Sequence, residues 1–192
     1  ANETEFVPYK NGVVCAKMNH MSYIDGTGTV VWEIDTAIVD PILKVDGNYI
    51  LIAEKGRNKI CLYIDNKLQY DVDDPDTVMS AELSSNGDVV VVTDKSSYRG
   101  GISVYNKSGE QIFSWASGSD AVICADISAA SRSVAVALLN SDVTAKTTVQ
   151  LFNVNETESY AKIEMPDTVV YELQFVGDRV NAFGDNRVTG IS

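Results

Sequence analysis

A single two-turn unit recurs along this chain, and it constrains the fold more than any other feature. Each copy is an apolar run, a Gly-type turn and a second apolar run. A polar loop, a third run, a second turn and a fourth run follow. The first turn and its following run occur as KNGVVCA from Lys10, VDGNYILIAE from Val45, SNGDVVVVTD from Ser85, ASRSVAVALL from Ala130 and VGDRVNAFGD from Val176. The turn centres read as Gly12, Gly47, Gly87, Arg132 or Ser133, and Gly177, spaced 35 to 46 residues apart. Gly and Asn-Gly suit the positive φ of tight hairpin turns. The second turn, with its flanking runs, occurs from Met21, Lys59, Gly101 and Val149. A period near 40 residues with four short strands per unit describes a β-propeller blade, which must stack on neighbours to bury both faces.

The expected fold is therefore all-β, with blades of four antiparallel strands and about four and a half blades in the chain. A tail over 1–5 precedes a propeller segment over 6–192. Its blades are expected at 6–37, 38–74, 77–118 and 121–165, with a partial one at 169–192. The fifth copy reaches only RVTGIS, where a third strand starts, so the segment reads as part of a larger propeller. Pro75-Asp76-Thr77-Val78 and Pro166-Asp167-Thr168-Val169 each lead into a first strand, two blades apart. Inner strands should be apolar on both faces, as VVVV at 89–92 and VAVALL at 134–139 are. Outer strands should alternate: Val30, Trp32 and Ile34 share a face, and Gln111 and Ser114 break up the later one. The four prolines fall outside strand centres, Pro8 least clearly. A β-sandwich or up-and-down barrel also has regularly spaced short strands, but does not require one unit four times over.

Charge narrows the partners. A net charge of −12 repels phosphate backbones and anionic membrane surfaces. Neither nucleic acid nor membrane contact by this segment is expected. No apolar run approaches the ~20 residues that span a bilayer. The opening ANETEF has neither the basic nor the apolar region of a signal peptide, and a segment upstream of it stays open. Cys15, Cys61 and Cys124 lie far apart inside apolar runs, as small core residues. Their odd number and spacing give no disulfide framework and no thiolate metal site.

Catalytic equipment is sparse. His20, in the loop Lys17-Met18-Asn19-His20, is the only histidine, so any Ser-His-Asp or Cys-His arrangement would have to use it. With one His, a multi-His metal centre cannot form within the chain. Calcium is the cation the pattern could serve, through Asp71, Asp73, Asp74 and Asp76. Against it, Asp76 stands where an EF-hand loop needs Gly, and Pro75 replaces a ligand. The bland reading is a solvated connection between blades. No carboxylate pair stands out for glycoside hydrolysis among 27 acidic residues. The basic Gly turns Lys55-Gly56-Arg57-Asn58 and Tyr98-Arg99-Gly100-Gly101 match no phosphate-binding motif. They belong to equivalent connections of successive blades, so Arg57, Asn58, Tyr98 and Arg99 form a candidate ligand rim, with the loop Asn140 to Thr147 beside it. Asn2, Asn106 and Asn155 each begin an N-x-S/T triplet, read as chance or as turn residues.

Two resemblances add to this. Asp25-Gly26-Thr27-Gly28-Thr29-Val30-Val31-Trp32 resembles the D-x-x-T-G-x-x-x-W blade signature of quinoprotein-like propellers, one residue short, and Asn106 to Trp115 looks like a second copy. The resemblance implies that Trp32, and Phe113 with Trp115 in the second copy, dock blade against blade. It brings no quinone cofactor, because only the blade signature is present. YKNGVVCAKMNHMSYIDGTGTVVWEI, GNYILIAEKGRNKICLYIDNK and VNAFGDNRV resemble an uncharacterised clostridial family. That family has an N-terminal transmembrane anchor and an extracytoplasmic propeller-like domain of unknown function. The resemblance implies an extracytoplasmic module that continues past Ser192, and it supplies no catalytic residues or cofactors. The expected role is a non-catalytic module binding a protein, peptide or glycan. A propeller enzyme with residues in further blades and a structural part of an envelope complex are its rivals. Incomplete blade stacking would also leave apolar flanks for self-association.

Overall fold

The computed structural model describes residues 4–142 and 144–192. The start of the expected tail, with Asn2, and Val143 in the loop from Asn140 lie outside these residues. Every regular element described is a strand, and within each sheet every strand pairs antiparallel with the next in sequence. The first sheet is β1 (Glu5–Tyr9), β2 (Gly12–Lys17), β3 (His20–Ile24) and β4 (Val30–Asp35); Glu5, counted in the tail from sequence, opens β1. The second is β5 (Pro41–Asp46), β6 (Tyr49–Glu54), β7 (Lys59–Ile64) and β8 (Lys67–Asp73). The third is β9 (Thr77–Leu83), β10 (Val89–Asp94), β11 (Gly101–Tyr105) and β12 (Gln111–Ala116). The fourth is β13 (Ala121–Ile127), β14 (Ser133–Asn140), β15 (Lys146–Asn153) and β16 (Ser159–Pro166). The fifth has three strands, β17 (Val170–Val176), β18 (Arg179–Gly184) and β19 (Val188–Ile191).

Local chemistry sets the hairpins. Gly47, Gly87 and Gly177 hold positive φ, and so does Arg132 rather than Ser133. The first turn is different from the sequence reading. Its left-handed residue is Lys10, and Gly12 lies inside β2. Gly12 is needed for closeness instead: a Cβ there would stand 2.0 Å from the Ile24 carbonyl oxygen. Pro8 does fall within a strand, β1, which has a partner on one side only, so its missing N–H costs little.

Four apolar clusters join the five sheets. Sheets one and two share Val14, Met21, Leu43 and Ile52; sheets two and three share Leu51, Leu62, Val78 and Val91. Sheets three and four share Val92, Ile102, Val136 and Phe152; sheets four and five share Ala137, Val149, Leu173 and Val180. In sheets two, three and four the second strand feeds the clusters on both of its sides, which explains the apolar runs in β10 and β14. First strands pack on first strands, β1 on β5, β5 on β9, β9 on β13 and β13 on β17, and so line a common axis. This is a β-propeller arc. Among the described residues no cluster joins sheet five to sheet one, so the outer faces of both end sheets are free.

Candidate functional site

Strand direction alternates within each sheet, so the second-to-third connections and the sheet-to-sheet connections open on one side of the arc. The rim residues lie here. In sheets one to three the second-to-third loop is bonded to the connection that follows its sheet. The N–H groups of Thr36, Asp74 and Ser117, each just past a fourth strand, donate to the carbonyls of Asn19, Asn58 and Gly100 at 3.0, 2.8 and 3.0 Å. Arg57 accepts the Val78 N–H at 2.6 Å, and the Asn58 side chain donates to the Asp74 carbonyl at 3.2 Å. Arg99 is held twice: its N–H donates to Ser117 at 2.8 Å and its carbonyl accepts the Val122 N–H at 3.1 Å. Rim side chains therefore stand on fixed backbone. Tyr98 is 49% exposed, and the Arg57 guanidinium lies 3.6 Å from the Glu54 carboxylate.

The Gly184-Asp185-Asn186-Arg187 stretch does the same work with side chains. The Asp185 carboxylate accepts the Val169 N–H at 3.0 Å, the Asn186 amide donates to Asp167 at 2.6 Å and Arg187 donates to Pro166 at 3.2 Å. Its distinctive sequence thus serves a clasp between sheets four and five.

Three first strands carry a β-bulge near this face. In β9 Val92 pairs with Ser80 and Thr93 with Val78, leaving Met79 as the extra residue. Ile123 in β13 and Tyr171 in β17 are left over in the same way. Bulges re-aim side chains. Met79 is 44% exposed and Tyr171 59% exposed. Met79 and Ile123 line one recess of about 270 Å³ with Val92, Val122, Asp94 and Arg99. Gly100 lets the loop close on this recess, since a Cβ there would stand 3.0 Å from the Val122 Cβ.

Nearer the opposite face the axis widens into a cavity of about 340 Å³, lined by Asp46, Glu82, Asp126 and Gln174 among others. Lys44 pairs with Glu82 at 3.2 Å, and Asp126 accepts the Phe175 N–H at 2.7 Å. Burial pushes Asp126 up to about 6 and also raises Glu82. Burial likewise pushes Cys124 up to about 12, so its thiol stays protonated and unreactive. His20 stands at the start of β3, with Nε2 at 3.5 Å from Glu33 and Nδ1 at 3.7 Å from Asp35, on the first sheet.

The four calcium candidates are not brought together. Asp71 and Asp73 share a face of β8 and both pair with Lys59, at 2.7 and 3.3 Å. Asp74 turns inward, is 1% exposed, and accepts the Tyr105 hydroxyl at 2.6 Å and the Asp76 N–H at 2.8 Å. Asp76 pairs with Lys95 at 2.8 Å. Each carboxylate already has an internal partner. Trp32 lies in the cluster between sheets one and two, its ring 6.0 Å from Tyr23. Phe113 and Trp115 lie between sheets three and four, 5.6 and 5.2 Å from Phe152.

Sheets stacked on a common axis, with their loops gathered on two faces, define the chain as a β-propeller protein. Solved structures share that fold. The computationally designed Ika8 protein superposes with a TM-score of 0.67 at 16% identity, over 98% of this chain and 57% of its own. BamB from Moraxella catarrhalis gives 0.65 at 13%, over 97% and 60%. KlAtg21, in complex with the coiled-coil of AgAtg16, gives 0.71 at 13%, over 94% and 63%. The chain thus spans between 57% and 63% of the length of these propellers. No curated protein matches it. Residues 1–192 match DUF5711, a family of unknown function, and the chain belongs to that family.

Proposed function

We propose that this chain is a non-catalytic recognition module that binds a protein or peptide on its loop face. The observation that carries this reading is the double clamp on Arg99: an arginine beside an exposed tyrosine, both presented from immobilised backbone. Tyrosine and arginine are enriched where interfaces concentrate their binding energy, and a fixed backbone reduces the ordering cost. A similar propeller, KlAtg21, is solved with a coiled-coil bound, which supports a protein partner over a glycan. From the clostridial resemblance we further propose that the module lies outside the cytoplasm behind an N-terminal anchor. A photo-crosslinking residue at Tyr98, introduced in the full-length protein in its own cells, should trap a discrete partner. The same residue at Asn66, in a turn on the opposite face, should not. Equal trapping at both positions, or none, would sink the reading.

A second reading rests on the free end sheets. We infer that sheet five offers the same kind of face that sheets one to four each use to dock the next. Sheet one offers the matching opposite face, with Phe6 62% and Val31 53% exposed. Two copies can then join head to tail, as a heterologous contact.

A further inference from the structure

We propose that the recess between sheets three and four binds an extended protein segment through an apolar side chain and a neighbouring Asp or Glu. This inference rests on the recognition reading above and names its ligand chemistry. Met79, Val92, Val122 and Ile123 supply the apolar lining, and Asp94 and Arg99 supply one charge of each sign, so a ligand carboxylate must meet Arg99 on the side away from Asp94. Two of the four apolar residues are bulge residues, displaced from strand alternation in neighbouring sheets toward the same hollow. The bulges leave a mark on packing. Val78 and Ala81 both face sheet two, three positions apart, and Val122 and Ala125 repeat that spacing toward sheet three. A strictly alternating strand would send Met79 to the same side as Ala81, into the inter-sheet cluster. Both sheets forgo that regularity and leave Met79 and Ile123 at the recess.

Arg99 supplies the polar half. Its main chain is bonded on both sides, so the guanidinium swings from a fixed point. Among the described residues its guanidinium forms no ion pair, and of the residues lining the recess it alone is a cation. A guanidinium matches a carboxylate through two parallel hydrogen bonds. The volume, about 270 Å³, admits one or two side chains rather than a folded surface. The net charge of −12 opposes polyanions, so the ligand is a single carboxylate beside an apolar group. A free peptide C-terminus is a poorer fit: the Arg99 and Val122 N–H groups that could cradle it are already donated to Ser117 and Arg99.

The test is selection of random heptapeptides, displayed with no free C-terminus, on the immobilised chain. The expected outcome is a consensus pairing Leu, Ile, Val, Met or Phe with an adjacent Asp or Glu. The synthetic consensus peptide, capped at both ends, should bind at least tenfold more weakly to Arg99→Glu and to Ile123→Ser. It should bind unchanged to Asp46→Asn, in the cavity nearer the other face. Arg99 is exposed, so its variant should keep the parent's urea midpoint. A basic consensus, no enrichment, tighter binding of an uncapped C-terminus, or peptide binding indifferent to both variants would each overturn the proposal. Trapping at Tyr98 alongside such a failure would leave the recognition reading standing and remove only this ligand.

Discussion

Asp126 turns its carboxylate into the axial cavity, where desolvation outweighs the Phe175 and Ile127 N–H donors and raises it to about 6. Its unfolded value is about 3.9. The folded state therefore favours the protonated acid, and this contribution to stability is lost as pH rises from about 4 through 6. Glu82, also raised by burial, adds to the loss in the same direction. Asp126→Asn keeps an acceptor for Phe175 and removes the charge. It should stabilise the protein at pH 8 by on the order of 2–3 kcal/mol, and hardly at pH 4. Urea unfolding at the two pH values measures this; an equal gain at both would show that burial of the charge is not the cause. The aspartates from Asp71 to Asp76 show the contrast. Adjacent in sequence, they look like a ligand set, but strand alternation sends Asp71 and Asp73 outward and the chain's turn sends Asp74 inward.

The sheets were largely legible from sequence because their hairpin turns are local: positive φ at Gly47, Gly87 and Gly177 follows from two or three residues. Arg99 was visible as a basic Gly turn for the same reason. Met79 and Ile123 were not, since a bulge depends on the partner strand. A trace existed nonetheless. VMSAEL, VICADI and VYELQF each space their inward residues by three and then two, against the even spacing of a regular strand. Gly184 to Arg187 stood out as a motif, while its clasp required knowing which connection lay opposite. Between elements, Phe152 fills the gap between sheets three and four against Phe113 and Trp115. Phe152→Ala should cost about 3–5 kcal/mol in urea unfolding. Val31→Ala, on the free face of sheet one, should stay within about 0.5 kcal/mol. A large effect at Val31 would mean that this face is covered.

At the scale of the molecule, five sheets and four apolar clusters leave two faces that repeat the chemistry of buried ones. Exposed apolar faces of this kind drive association. The mean mass of the 192-residue chain in sedimentation equilibrium should therefore rise with concentration, and Phe6→Asp should suppress the rise. A monomer throughout the range would remove the head-to-tail reading. The repeated bond at the loop face bears on what holds each sheet to the rest. Thr36 to Asn19, Asp74 to Asn58 and Ser117 to Gly100 each close a ring of main chain around the outer hairpin of a sheet. Covalent continuity through the hairpin tip is thus not the only attachment of the fourth strand. A protease that severed the tip at Gly28, Asn66 or Gly109 would cut the polypeptide and still leave the strand tethered at its far end.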